Sequence, residues 1–238
     1  MSAETPRQEV TLPGDAAHGD PESPAVAMVP ASPRGGVVVI HEVFGPQPEI
    51  ERVVARFAAA GYGAIAPDLF FRGKLPCLRA VFEAMRSGEE IAPVRQARRA
   101  RAWIAARTGV AEDRVGLIGF CFGGGFALLA GRGWGAVSAN YGTCPSPDLL
   151  QGLPPTIACY GGRDLAMRRE QRKLARVLAS LGPEHEMHVF ENAGHAFLTD
   201  GHHPIASALT WPLLHVRYDA ATAEEGWQRI LGFFARHL

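Results

Sequence analysis

An apolar strand expected over Arg114 to Phe120 runs straight into Gly119-Phe120-Cys121-Phe122-Gly123, backed by Gly124 and Gly125, and then into a helix from about Phe122 to Ala130. A strand that enters a helix within a residue or two needs strained backbone at the turn. It also needs little or no side chain two positions either side, where the neighbouring strand and helix approach. This feature constrains the fold more than any other, because such a turn belongs in an alternating strand and helix architecture.

The rest of the chain alternates in that way. Gly36-Val37-Val38-Val39-Ile40 is an unbroken β-branched run, the pattern of a strand covered on both faces. A helix is expected over roughly Pro48 to Ala60, stopped by Gly61, and a strand near Gly63 to Ala66. After a variable region to about Ile91 comes a helix near Pro93 to Arg107. Strands follow near Ala136 to Asn140 and Thr156 to Tyr160, then a helix over Arg168 to Leu181, a strand over Glu186 to Phe190 and a closing helix over Ala223 to His237. The expected fold is α/β, with a mainly parallel sheet and helices on both faces. Six of the 18 prolines fall within residues 1–36. Residues 1–35 are therefore read as a loose arm carrying a hairpin, part of the same domain as 36–238.

The chain has 238 residues, 47% apolar and 20% charged, close to ordinary globular composition and unlike a disordered chain. Lysine plus arginine and aspartate plus glutamate both total 24, so bulk charge supplies no attraction to nucleic acid. Arg95, Arg98, Arg99, Arg101 and Arg107 crowd one expected helix, but Val94, Ala97, Ala100 and Ile104 occupy a separate arc, as on a surface helix with a solvated basic face. No apolar run approaches the roughly 20 residues of a membrane span, and the first thirty residues lack a secretory pattern. The four cysteines, Cys77, Cys121, Cys144 and Cys159, form no C-x-x-C pair. A cytoplasmic protein with a small-molecule partner and no membrane or nucleic-acid partner is expected, and no oligomeric state is assigned.

Two segments complete the chemistry begun at Cys121. Tyr160-Gly161-Gly162-Arg163-Asp164 places an aspartate just after a strand, and Glu191-Asn192-Ala193-Gly194-His195 places a histidine after the next. Both fall at carboxyl ends of strands, where an open α/β sheet builds its site. Nucleophile, acid and histidine then follow in the order of an α/β-hydrolase triad. His41-Glu42 lacks the second histidine of a zinc-protease motif. His195, His202 and His203 with Asp200 carry metal-binding side chains, but loop histidines are commonly solvated, and neither metal nor cofactor is expected.

Through His41-Glu42-Val43-Phe44-Gly45, Pro67-Asp68-Leu69, Gly119-Phe120-Cys121-Phe122-Gly123-Gly124, Gly162-Arg163-Asp164 and Gly194-His195-Ala196-Phe197, the chain resembles the dienelactone hydrolase family. The resemblance implies an α/β-hydrolase fold with Cys121 as nucleophile, His195 as base and Asp164 as orienting acid. It further implies Glu42 as a carboxylate that modulates the thiol by like-charge repulsion. The backbone N–H groups of Phe122 and Val43 are the natural oxyanion donors. Arg72, Arg79, Phe44 and Phe197 are candidates for substrate contact.

The expected activity is hydrolysis of small esters or lactones through an acyl-enzyme. Alternatives are a general carboxylesterase or thioesterase, and a non-catalytic ligand-binding scaffold. Family members that hydrolyse dienelactone bind its carboxylate with arginines, one of them four residues after the histidine. Thr199 stands at that position here, and the stretch from Asp200 to Tyr218 looks longer than the family norm.

Overall fold

In the computed structural model, which describes residues 5–200, 214–215 and 218–238, eight strands form one sheet. They are β1 (Arg7–Leu12), β2 (Ser23–Met28), β3 (Gly36–Ile40), β4 (Gly63–Pro67), β5 (Val115–Phe120), β6 (Ala136–Asn140), β7 (Thr156–Gly161) and β8 (Glu186–Phe190). The spatial order is β1-β2-β4-β3-β5-β6-β7-β8. From β4 to β8 every pairing is parallel, whereas β2 is antiparallel to both β1 and β4. The helices are α1 (Pro48–Ala59), α2 (Lys74–Ser87), α3 (Ala92–Thr108), α4 (Phe122–Ala130), α5 (Arg168–Leu181) and α6 (Ala220–His237). This is the α/β-hydrolase architecture.

The continuous apolar run of β3 is explained by two cores. Val37 and Val39 face one side, where Val54 and Phe57 of α1, Leu174 of α5 and Phe234 of α6 meet them in one cluster. Val38 and Ile40 face the other, with Val81 of α2, Ile104 of α3 and Phe126 of α4. Each fully buried side chain of this size contributes about 1.5–3 kcal/mol of transfer free energy.

Three features differ from the sequence reading. Residues 7–28 carry the expected hairpin, β1 paired with β2, but it is fastened rather than loose: β2 is hydrogen-bonded along β4, from Ala25 opposite Pro67 to Met28 opposite Ala64. The variable region contains α2, whose buried Cys77, Val81, Ala84 and Met85 recur at helical spacing, ended by Gly88 in the left-handed conformation at φ 74°. The basic face of α3 is also not simply solvated. Arg95 holds the buried Asp20 with two hydrogen bonds of 2.7 and 3.0 Å, and Arg99 adds a third at 3.1 Å, fastening the β1–β2 turn to the helix. No described helix is long and apolar enough to cross a membrane.

Candidate active site

Cys121 sits between β5 and α4 with φ 53° and ψ −115°, outside the ordinary regions for a residue with a side chain, at a typical cost of about 1–3 kcal/mol. The turn survives because the backbone closes around it. A Cβ on Gly119 would lie 1.9 Å from the Gly123 carbonyl oxygen, and one on Gly123 would lie 2.5 Å from that of Ile40. Below, the Cys121 N–H donates to the Asn140 carbonyl at 3.0 Å, and the Asn140 side-chain amide donates to the Gly119 carbonyl at 3.1 Å. Asn140, at the end of β6, thus braces both sides of the turn. Phe122 is the first residue of α4, so its N–H has no acceptor within the helix and lies at the positive end of the helix dipole.

The carboxyl ends of β7 and β8 bring the other two groups together. Gly161 permits this approach, since a Cβ there would stand 2.3 Å from the Gly194 carbonyl oxygen. Asp164 and His195 are both buried, and His195 Nδ1 lies 2.6 Å from Asp164 Oδ2. The second carboxylate oxygen of Asp164 accepts from the Met167 N–H at 3.2 Å, so this side chain also steadies the turn leading to α5. The His195 backbone N–H donates to the Leu214 carbonyl at 2.7 Å, and its ring interacts electrostatically with Cys121. Burial works against a charged imidazole, but the hydrogen bond to Asp164 and the interactions with Cys121 and Asp164 outweigh it and raise the His195 pKa to about 10. Cys121, Asp164 and His195, which the sequence separates by up to 74 positions, thus come together at the carboxyl edge of the sheet.

Burial distinguishes the other cysteines. It pushes the Cys77 and Cys159 thiols up to about 12 and that of Cys144 to about 11, whereas Cys121 is partly exposed. A thiol held at such values is almost wholly protonated at neutral pH and a poor nucleophile.

Glu42 follows β3 and is buried; its Oε1 accepts from Thr199 Oγ1 at 2.9 Å and from the Tyr141 hydroxyl at 3.4 Å. Tyr141, fully buried, also sets its ring edge-on to that of His195 at 5.0 Å between centroids. It joins the Glu42 and His195 sides of the site and was not singled out in the sequence. Its place at the end of β6 was the available signal. His41 has a structural task instead. Its ring is wholly buried, with Nδ1 2.8 Å from the Glu42 carbonyl oxygen and Nε2 accepting from the Leu69 N–H at 3.1 Å. Burial lowers its pKa, in keeping with a neutral ring that donates through Nδ1 and accepts through Nε2. The loop carrying Glu42 and Val43 is thereby tied to the one after β4.

The four candidates for substrate contact divide. Phe44 is exposed beside Val43. Phe197 is fully buried against Phe190 and Tyr141, at 4.9 and 5.9 Å between ring centroids, so it supports the core behind His195 rather than lining a pocket. Arg72 is exposed after β4, and Arg79 pairs with Glu83 along α2 at 2.9 Å. His202, His203 and Arg217 lie outside the described residues.

Comparison with known proteins places the chain in a family. The model of the dienelactone hydrolase family matches residues 24–238. A carboxymethylenebutenolidase of Rhodococcus opacus is 27% identical over 222 residues, covering 85% of this chain and 81% of that protein. Among solved structures, a dienelactone hydrolase from Anabaena variabilis superposes with a TM-score of 0.67 at 18% identity, covering 99% of each chain. A dienelactone hydrolase-like promiscuous phosphotriesterase from metagenomic libraries superposes at 0.78 with 19% identity, again covering 99% of each. These two structures share the fold. The family match spans β2 to α6 and includes every residue of the site described above, and the chain belongs to the dienelactone hydrolase family.

Proposed function

We propose that the protein hydrolyses small esters or lactones through an acyl-enzyme on Cys121. The observation that carries this reading is the pairing of His195 with Asp164 Oδ2 at 2.6 Å, with His195 interacting electrostatically with Cys121 on its strained turn. On this reading the thiol proton resides on His195, whose pKa is raised to about 10, and the sulfur attacks the carbonyl carbon. The negative charge that develops on the carbonyl oxygen is met by the Phe122 and Val43 N–H groups. His195 returns the proton to the leaving oxygen, then activates the water that releases the acid. Asp164 keeps the imidazole tautomer fixed and stabilises its cation throughout. A sulfur nucleophile favours activated esters, enol lactones and thioesters over amides, since the tetrahedral intermediate more readily expels the group of lower pKa.

Glu42 acts on the same reading as a negative charge near the nucleophile, anchored by Thr199 and Tyr141. Replacing it with glutamine should lower the apparent thiol pKa in alkylation kinetics. Thr199 favours a second reading for the substrate alone: a general carboxylesterase or thioesterase, because a hydroxyl that donates to Glu42 stands where dienelactone-hydrolysing relatives place an arginine.

Hydrolysis of p-nitrophenyl acetate by the wild type and by Cys121→Ala tests the mechanism, with mass spectrometry of the quenched wild type to detect acetylated Cys121. Turnover that is lost in the variant is expected. Equal turnover in both proteins would remove Cys121 from the reaction.

A further inference from the structure

Six large hydrophobic residues are exposed among the described residues, and three of them, Phe44 (55%), Leu75 (76%) and Phe82 (41%), stand on the loop after β3 or on α2, which follows β4. Phe44 and Phe82 are linked through the residues between them. The Lys74 ammonium lies 5.6 Å from the centre of the Phe44 ring, and a Cβ placed on Gly45, next to Phe44, would lie 3.5 Å from the Phe70 ring. Phe70 packs on Phe122 at 5.4 Å between centroids, and Phe82 meets Phe122 edge-on at 6.4 Å. This aromatic strip therefore starts one residue from Val43 and ends over Phe122, the two residues whose N–H groups flank the carbonyl on the proposed reading. Exposed apolar surface collected in this way, next to a nucleophile, marks a binding surface.

Sheet order decides which half of the substrate it serves. β3 and β4 lie on one side of β5, which carries Cys121, while β7 and β8, which deliver Asp164 and His195, lie on the other. The leaving oxygen must face His195 to receive its proton, so the acyl portion extends the opposite way, over the aromatic strip. We propose that Phe44, Phe70 and Phe82 form the acyl subsite, and that the protein selects uncharged acyl groups carrying an aryl ring or a medium alkyl chain over acetyl. The inference rests on the hydrolase reading and specifies its substrate class.

The test is kcat/KM for p-nitrophenyl acetate, butyrate, hexanoate and phenylacetate, which share one leaving group, in the wild type, Phe82→Ala, Phe82→Leu and Phe44→Ala. The expected result is a rise of at least tenfold from acetate to hexanoate in the wild type. Phe82→Ala and Phe44→Ala should cut the hexanoate-to-acetate ratio at least threefold, and Phe82→Leu should hold it within twofold. A larger leaving group, in 2-naphthyl acetate, should keep its ratio to p-nitrophenyl acetate in all three variants. A flat chain-length profile in the wild type, unchanged hexanoate ratios in both alanine variants, or a naphthyl ratio that falls instead would overturn the acyl assignment while leaving the hydrolase reading intact. Absence of turnover on every ester would overturn both. Phe44 is more than half exposed, so Phe44→Ala carries the test should Phe82→Ala not fold.

Discussion

His41→Leu is expected to destabilise the protein while leaving Cys121, Asp164 and His195 in place. Leucine closely matches the volume of histidine, so packing against Phe70, 4.5 Å away between ring centroids, is largely kept. What is lost is the bond to the Glu42 carbonyl at 2.8 Å and the bond from the Leu69 N–H at 3.1 Å. Both residues are buried, and a buried polar group left without a partner costs about 1–3 kcal/mol, giving about 2–6 kcal/mol for the two together. Urea unfolding at pH 8, with the slope unchanged between proteins, measures it. The pH dependence follows from the lowered His41 pKa. Below the ordinary value of 6.5 the unfolded chain takes up a proton that the folded chain does not, so this contribution is complete above pH 6.5 and declines as pH falls toward the folded value. His41→Leu lacks that term, and the gap between the two proteins should narrow from pH 7 to pH 5. In kinetics the variant should lose kcat on p-nitrophenyl acetate through the displaced Val43 N–H, while alkylation of Cys121, which His41 does not touch, keeps its rate. A stability loss under about 1 kcal/mol, or a gap that widens on acidification, would refute the reasoning.

Three further outcomes are expected. Thiol labelling of the folded protein at pH 8 should modify Cys121 alone and vanish in Cys121→Ala, because the other three thiols are buried and pushed up to about 11 or 12; a second labelled cysteine would contradict this. In NMR titration His195 should titrate near 10, and both Asp164→Asn and Cys121→Ser should lower it, Asp164→Asn by more. The associated stabilisation is present in full below pH 6.5 and is lost as pH rises through about 10; an unshifted titration in Asp164→Asn would break the assignment. Asp20→Asn should cost about 1–3 kcal/mol by removing charge-assisted bonds to Arg95 and Arg99. Those arginines hold the Asp20 carboxyl below its ordinary 3.8, so the difference from wild type should shrink as acid protonates it, and a difference that persists at pH 2.5 would point to packing instead.

The sequence by itself determined the features that depend on short stretches of backbone. The double-sided apolar run of β3, the glycine spacing around Cys121, and the positions of Asp164 and His195 just past strand ends were all readable, because strand pairing on two faces and a tight turn impose their demands on adjacent residues. Tertiary structure alone decided how distant segments meet. The Thr199 bond to Glu42 joins positions 157 apart, and the Arg95 bond to Asp20 joins positions 75 apart. Phe197, next but one to His195 in sequence, turned inward to the core, whereas Tyr141 came to lie against His195 from a different strand. The physical reason is that parallel strands pair only across long crossover connections, so the chain's local pattern states that a strand exists but not which neighbour it takes or which side chains that neighbour delivers.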